Sequence, residues 1–478
     1  MKKQILTIAT ALLFYGNVAA QTITLDTSFD PADGPNKTVN TVAIQNDGKI
    51  LIGGIFDQFN NGSYFPLSAV RLNTNGTLDN SFSPEDVLGS VYSIAIQDDG
   101  KILFLGAQRN GWPTNNSGVV RLNADGSLDD SFDMDGSGFN NSVLNGVVQS
   151  DGKVIVCGDF TYFNGSTSRN RIARLNADGS LDTSFDPGNG FNMRTNILAL
   201  QQDGKIIVGG LFTEFDGVTR NYIARLNTDG SLDASFDSGN EFTNDVRSIV
   251  IQADGKIICG GNLKENFPAG VIRPRIARLN IDGTLDTSFN PGNGFNAYPL
   301  SFYIQSNGKI IAGGDFSEYN GTEIRGIARL NTDGSLDTSF DLGAGFETDN
   351  PGLSFVKTIA LQSDGKIIAG GNFHTYNGTQ RIRIARLNGD EGTTSVDTIE
   401  DYLSFEVFPN PANEFVNISN PPKNATLRIL DLTGKIMHEQ LMLNDFESVN
   451  ISGFMSGMYL LQMEKDGGIS NQKLIVNQ

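Results

Sequence analysis

The sequence predicts an all-β protein: a seven-bladed β-propeller with four antiparallel strands to a blade, followed by a small Ig-like β-sandwich. Three observations carry this. One segment of about 50 residues recurs seven times, every copy breaks into short apolar runs separated by Gly, Asp and Asn, and the two ends of the repeating region are complementary fragments of one copy.

The Asp (once Asn) of an Asp-Gly-Lys element falls at Asp47, Asp99, Asp151, Asp203, Asp254, Asn307 and Asp364, at intervals of 52, 52, 52, 51, 53 and 57 residues. An Arg-Leu-Asn element begins at Arg71, Arg121, Arg174, Arg225, Arg278, Arg329 and Arg386. In the fourth copy the strand-like runs are a, Ile197–Gln201, b, Lys205–Gly209, c, Tyr222–Asn227, and d, Ser231–Phe236. No run has helical periodicity long enough for a crossover helix, and four short strands in this span match one propeller blade.

Both tight turns are three-residue loops. Pairing Asn176 with Ser180 leaves Ala177-Asp178-Gly179 as the c–d loop, where glycine takes the left-handed position at no steric cost. The same register sets Leu175 opposite Leu181 and Arg174 opposite Asp182. An identical loop joins strands a and b around Asp254-Gly255. The recurring Arg–Asp pair reads as a cross-strand ion pair on the outer part of each blade, worth about 0.2–1 kcal/mol, rather than as an anion site.

The repeat is out of phase with the chain ends. Leu25-Asp-Thr-Ser-Phe29 has no Arg-Leu-Asn before it, and Arg386-Leu-Asn388 has no Leu-Asp-x-Ser-Phe after it. Residues 23–29 are therefore expected to form strand d of the seventh blade, with Asp26 facing Arg386. Such closure removes an unpaired sheet edge.

Antiparallel geometry puts the short a–b and c–d turns on one face and the longer, variable b–c and d–a connections on the other. A binding site is expected on the second face, because variable loops on a rigid frame carry function. Departures from the repeat supply the candidates: Arg109 and Trp112 in blade 2, Arg194 in blade 4, Arg273 in blade 5, Tyr298 in blade 6 and His374 in blade 7. Asp159, Asp315 and the Asp of Phe-Asp-Pro-Gly segments such as Asp186 raise Ca2+ as an alternative, although no loop has Asp-x-Asp-x-Asp spacing. Otherwise no metal and no cofactor is expected. Glu214 and Glu318 occupy the same slot of blades 4 and 6, which weakens them as a private catalytic pair.

Lys2 and Lys3, the apolar run from Ile5 to about Tyr15, and Val18-Ala-Ala20 read as a secretory signal peptide over residues 1–20. The propeller is placed at 21–388. Cys157 and Cys259 sit in strand b of non-adjacent blades and are expected as two buried thiols. A net charge of −19 argues against a nucleic-acid partner, and two histidines in the chain leave little for a zinc site or a Ser-His-Asp triad. Residues 389–402 read as an acidic linker. Six or seven short β runs across 403–478 suggest the sandwich. No segment is long and apolar enough to be a transmembrane helix.

The repeat, through Asp-Gly-Lys-Ile-Ile-x-Gly-Gly and Arg-Leu-Asn-x-Asp-Gly-x-Leu-Asp-x-Ser-Phe, resembles the delta-60 repeat of bacterial β-propeller proteins over residues 25–388. That family has no shared activity to carry over. The tail resembles the type A C-terminal sorting domain of the type IX (Por) secretion system. Its landmarks are Pro409, Asn410 and Pro411, Gly434 and Lys435, Gly457 and Tyr459, and Lys473. The resemblance implies a Bacteroidetes-type bacterium, passage across its outer membrane, engagement of the secretion machinery and its surface sortase, and release or attachment at the cell surface. The sequence favours an exported binding module for a glycan or protein ligand. A polysaccharide-active enzyme on the same scaffold and a purely structural surface protein are the alternatives. Deleting residues 22–30 should yield an unstable or aggregating protein; an unchanged thermal melt would contradict the closure.

Overall fold

The computed structural model describes residues 21–60, 62, 68–82, 84, 89–107, 118–134, 136–239, 242, 244–261, 275–348, 354–389, 405–419, 421, 423–431, 435–444, 446–465 and 468–477. Residues 1–20, most of the linker, and Arg109, Trp112, Arg273 and Gly434 lie outside them. The chain divides into two compact units, 1–391 and 392–478.

Among the described residues each of the first unit's seven blades is a three-stranded antiparallel sheet ordered a–b–c. In blade 4 these strands are Thr195–Leu200, Ile206–Gly210 and Ile223–Leu226. Strands b and c are buried along their whole length because each blade is pressed on both faces by its neighbours. Ile206 and Val208 join Ile155, Cys157 and Ile172 of blade 3 in one core cluster. Ile207 and Ile223 join Ile257 and Cys259 of blade 5 in the next. A sheet covered on both sides reads as a continuous apolar run, which explains Lys-Ile-Ile-Val-Gly-Gly.

Both turns have the expected form. Asn176 N donates to Ser180 O and Gly179 N to Asn176 O, with Gly179 at φ 93°. The outermost strand is shorter than the sequence suggests. In place of a strand over 231–236 there is one bridge, Leu226 to Leu232, and the backbone then turns. The cause is local: Asp233 Oδ1 accepts from both the backbone N and the hydroxyl of Ser235, and such side-chain capture competes with a ladder. Conversely, the b–c connections of blades 3, 4, 6 and 7 contain two-residue hairpins that were expected as loops, such as Glu214–Phe215 with Val218–Thr219. Each is pinned by an aromatic pair. Phe191 bridges Phe215 with ring centroids 4.6 Å apart, and Phe295 bridges Tyr319 in the same way.

The Gly-Gly pair is a packing requirement. A Cβ on Gly210 would run into the carbonyl oxygen of Arg194, and one on Gly209 would meet Val246 of blade 5 at 2.6 Å. Blade 2 breaks the pattern with Leu105, and the neighbouring blade compensates. Gly146 stands where other blades have a branched or aromatic residue in strand a, and a Cβ there would lie 2.7 Å from Leu105.

The ring closes as expected. Leu25 bridges Leu387, Asp26 N donates to Arg386 O at 2.9 Å and Asn388 N to Thr24 O at 2.9 Å. Val39 and Ile52 of blade 1 share a core cluster with Ile368 and Ile384 of blade 7. Gln21–Thr22 adds a parallel pairing with Phe340–Asp341, and the Tyr376 hydroxyl donates to Ile23 O at 2.6 Å.

The Arg–Asp pair is more than the surface interaction the sequence suggests. Arg386 Nε lies 2.7 Å from Asp26 Oδ2, with both side chains under a tenth exposed. Lys366 Nζ reaches the same oxygen at 3.1 Å. Arg386 Nη2 donates to Ser28 Oγ, and Nη1 donates to Thr74 O in the c–d turn of the next blade. Its guanidinium also covers the Phe29 ring at 4.9 Å. The same cluster recurs around Asp79, Asp129, Asp182, Asp233, Asp286 and Asp337. Burial alone would raise these carboxyl pKa values. The Ser hydroxyl and Lys ammonium, reinforced by the guanidinium, outweigh it and hold each well below the ordinary 3.8, Asp337 at about 2.

The second unit has two sheets. Glu406–Phe408, Phe415–Ser419 and Phe446–Asn450 form one. Ile436–Leu441, Thr426–Leu430, Gly457–Lys465 and Gly468–Val476 form the other, in that order. Val416, Ile418 and Val449 of the first share one core with Leu427, Ile429, Leu461 and Leu474 of the second, as in a sandwich.

Four outcomes are expected. Arg386→Met, which strands a buried Asp, should cost about 3 kcal/mol or more. Lys366→Met, at a partly exposed position, should cost about 1 kcal/mol or less; equal losses in chemical denaturation would contradict the cluster's layering. Gly146→Leu should destabilise by about 1–3 kcal/mol through overpacking, with Leu105→Gly in the same chain restoring most of it. Because the folded Asp pKa values lie below the unfolded one, their stabilisation is complete above pH 3.8 and is lost as pH falls toward the folded values. The melting temperature should therefore change little on this account between pH 7 and about 5 and fall steeply below about 4.

Candidate ligand-binding channel

Strand a is the innermost strand of every blade. The seven are Val39–Ile44, Ser90–Ile96, Val143–Val148, Thr195–Leu200, Val246–Ile251, Pro299–Ile304 and Phe355–Leu361. Each has a register shift near its start, as between Val39 and Thr41 or Val246 and Ser248. A bulge leaves one residue outside the ladder and re-aims it. Here that residue is Asn40, Tyr92, Leu144, Asn196, Arg247, Leu300 or Lys357, and all seven line one axial cavity of about 470 Å³. Asn145, Arg194 and Asp245 line it as well.

Polar side chains in this ring stitch each blade to the next. Asn40 Nδ2 donates to Val91 O at 2.8 Å, Asn145 Nδ2 to Ser93 Oγ and Leu198 N to Asn145 Oδ1. Asn196 Nδ2 donates to Val246 O, Ser248 Oγ to Pro299 O, Ile359 N to Ser301 Oγ and Lys357 Nζ to Asn40 Oδ1 at 2.9 Å. Every blade junction is bridged at least once.

The cavity's charge opposes that of the chain. Its lining holds three cations, Arg194, Arg247 and Lys357, against one acid, Asp245, whereas the whole chain carries −19. Arg247 Nε lies 2.7 Å from Asp245 Oδ2. Asp245 is 3% exposed, and its Oδ1 is buried with no hydrogen-bond donor among the described residues. Burial lowers the Lys357 pKa, and Arg194 and Arg247 lower it further by repulsion, so the three cations act on one another across the channel.

Arg194 is the sequence candidate that lines this cavity, and its Nη1 also approaches Asp159 of blade 3 at 3.6 Å. Tyr298 stands beside it, with its ring beneath the Arg247 guanidinium at 4.8 Å and the Arg275 guanidinium at 5.5 Å. His374 is elsewhere, just before the short hairpin of blade 7, with Nε2 3.3 Å from Arg383 Nη2. Reading candidates loop by loop missed Arg247, Lys357, Asn40, Asn196, Tyr92 and Asp245. The signal that would have found most of them is the residue after the Val (once Thr, once Pro) near the start of strand a, which is Asn, Tyr, Leu, Asn, Arg, Leu and Lys in successive copies.

A second groove of about 890 Å³ lies between the loops of blades 6 and 7. Glu323 and Glu347 in it are bound to Arg325 at 2.7 and 2.9 Å. Burial raises the Asp315 carboxyl, partly offset by Arg247. Glu214 and Glu318 are exposed at matching hairpin positions. Among the described residues no group of three or more His, Cys, Asp or Glu is placed to hold a metal ion. Asp186 Oδ1 instead accepts from Gly188 N. Cys157 and Cys259 are free and buried, and burial pushes the Cys157 thiol up to about 12.

In the second unit the sorting landmarks converge on the final strand. Asn410 Oδ1 accepts from Ile475 N at 2.8 Å, Ala412 N donates to Ile475 O, and Ala412 bridges Val476. Gly457, Tyr459 and Leu460 pair with Val476, Leu474 and Lys473. Lys435 sits at a separate turn, its N donating to Asp431 Oδ1.

Fold and site together define a closed propeller with an occupiable axial channel, carried on a chain with an export tail. The chain belongs to the β-propeller family of the domain of unknown function DUF5122, whose model matches residues 45–82, 97–132, 149–185, 201–236, 252–289, 305–340 and 362–391. The secretion-system C-terminal sorting domain matches 406–477, which marks the protein for type IX export to the cell surface or beyond. No curated protein matches the chain. Among solved structures it is similar to PorZ, described as an essential bacterial surface component of the type IX secretion system of Porphyromonas gingivalis, at 13% identity and TM-score 0.45 over 94% of this chain and 61% of that one. It is also similar to the extracellular domain of a hybrid two-component system from B. thetaiotaomicron, at 12% identity and TM-score 0.47 over 96% and 60%. The chain thus spans about three fifths of the length of either, and likenesses this distant carry nothing about activity.

Removing one channel cation should relieve another. Arg247→Met should move the Lys357 pKa up toward its ordinary value, read by NMR of isotopically methylated lysines across pH 7–11. An unmoved value would mean that the two charges do not share the cavity.

Proposed function

We infer that this exported propeller is an extracellular binding module whose ligand enters from the long-loop face into the axial channel. One observation carries the reading. The re-aimed strand-a residues that face the cavity, Asn40, Tyr92, Leu144, Asn196, Arg247, Leu300 and Lys357, change from blade to blade, whereas strands b and c and both tight turns are repeated around them. A structural ring alone would need no such variation, since blade packing is satisfied by the common Val, Ile and Gly positions. The cavity volume lies within the range of small-molecule and glycan subsites, about 300–1,000 Å³, and its wall mixes apolar Leu144 and Leu300 with amides and cations. Delivery by the sorting tail fits a partner outside the cell, a glycan or a protein.

An acid–base reading has Asp315 to rest on, a half-buried carboxyl raised by its surroundings in the groove beside the channel. It would need a second carboxylate opposite: Glu323 and Glu347 in the same groove are engaged by Arg325, which leaves Glu318, exposed on the hairpin, as the other acid of the lining.

Glycan and protein arrays probed with the whole chain test the proposal. The expected result is saturable binding without turnover, weakened about tenfold or more by Arg194→Ala, which removes a charged contact. Turnover of a polysaccharide, abolished by Asp315→Asn, would favour the enzyme. Absence of any saturable ligand would favour a structural protein.

A further inference from the structure

We propose that the channel mouth recognises the carboxylate of an acidic sugar, a uronic acid, held by Arg194, Arg247 and Lys357, with a ligand hydroxyl donated to Asp245. This rests on the binding-module reading above and narrows it to one chemical class.

Three features point the same way. First, cations from three different blades face one partly open cavity in a protein that is otherwise strongly acidic, and their mutual repulsion is relieved most directly by an anion among them. Arg247 is held in place by the Tyr298 ring on one side and Asp245 on the other, so its guanidinium is oriented before a ligand arrives. Charge-assisted bonds from preset donors are the stronger kind. Second, Asp245 lines the same cavity, and its Oδ1, shielded just behind the wall, lacks a donor among the described residues. An acceptor left so is costly unless something donates to it. A ligand hydroxyl can do that; inorganic phosphate and sulfate offer cations their charge but bring no ring of hydroxyls to that oxygen. Third, the remaining wall suits a pyranose. Asn40 and Asn196 offer amide groups, and Tyr92 and Leu300 offer apolar and aromatic surface for a sugar face. An anion with hydroxyls on a compact ring satisfies all three features at once.

Calorimetry with the full-length chain tests this, using oligogalacturonate and oligoglucuronate, their neutral galactose and glucose counterparts, and inorganic phosphate. The uronates should bind saturably, more weakly as salt rises. The neutral sugars and phosphate should bind at least about tenfold more weakly. Lys357→Met and Arg247→Met should each weaken uronate binding by about tenfold or more, and Lys357→Arg should retain most of it. Asp245→Asn lifts the same repulsion for either anion but removes the acceptor only a sugar hydroxyl uses, so the uronate-to-phosphate affinity ratio should fall, which a merely structural role for that residue would not produce. Melting temperatures of all variants identify those that fail to fold. Because Lys357 loses a repulsive environment when an anion binds, its pKa should rise on uronate addition, a readout needing no variant. Uronate binding equal to that of the neutral sugars, or unaffected by either cation substitution in a folded protein, overturns the proposal. Saturable capture of only a neutral glycan or a peptide on the arrays would also overturn it while leaving the binding module standing, whereas no saturable ligand of any kind would remove both.

Discussion

The interaction on which the rest of the molecule depends is the buried carboxylate shared by an arginine and a lysine in every blade. Asp182 receives Arg174 at 2.7 Å and Lys153 at 2.9 Å, so the a–b turn, strand c and the start of the outer segment are fastened at one oxygen. The same guanidinium donates across the interface to Thr228 O in the next blade. Fastening within a blade and between blades therefore uses one side chain. Buried ion pairs do not by themselves outweigh their desolvation. Here the Ser hydroxyl, the neighbouring carbonyl and the Phe ring beneath the guanidinium satisfy what the pair alone would leave exposed to a low dielectric. Repeated around the ring, the device sets blade spacing. It also explains why closure needs Asp26 rather than merely an apolar N-terminal strand: without it Arg386 and Lys366 would be left in the interface with no anion.

A frame fastened at its outer part leaves the inner edge free to vary. The bulge near the start of each strand a takes one residue out of the ladder, so that residue can be Asn, Tyr, Leu, Arg or Lys without disturbing the sheet. At some junctions the re-aimed residue itself ties the blades, as Asn196 does to Val246, and at others a neighbour does, as Ser248 to Pro299. The Leu105 and Gly146 exchange shows the opposite regime. Deep between blades, one added side chain requires the loss of another in the facing strand. Variation is thus tolerated toward the axis and penalised between the sheets, which is where a ligand site and a core respectively belong.

The second unit has a different logic. Its core is shared by two sheets, and its landmarks are gathered by backbone pairing along the last strand rather than by a polar cluster. Asn410 accepts from Ile475, and Gly457 lies opposite Val476. A landmark near the start of the domain and those at its end are therefore one structural feature.

How much of this was legible beforehand follows from range. The seven-fold repeat, the three-residue turns, the Leu175–Leu181 register, the closure through Asp26 and Arg386 and the buried state of both cysteines all rest on spacing and local turn chemistry, which a sequence displays directly. The short outer segment was misjudged because Leu232 and Phe236 look like a strand, while the Asp233–Ser235 capture that ends it is a contest between two local hydrogen-bonding schemes. The depth of the Arg–Asp pair was underestimated because its burial comes from the adjacent blade. The channel depends on the tertiary fold most of all: Arg194, Arg247, Lys357 and Asp245 span more than 160 residues of sequence, and only the circular arrangement of strands brings their charges into one cavity. The sequence determined the ring and its fastening by itself, since those are properties of one repeat; which side chains meet at the axis was decided by closure, since that is a property of all seven together.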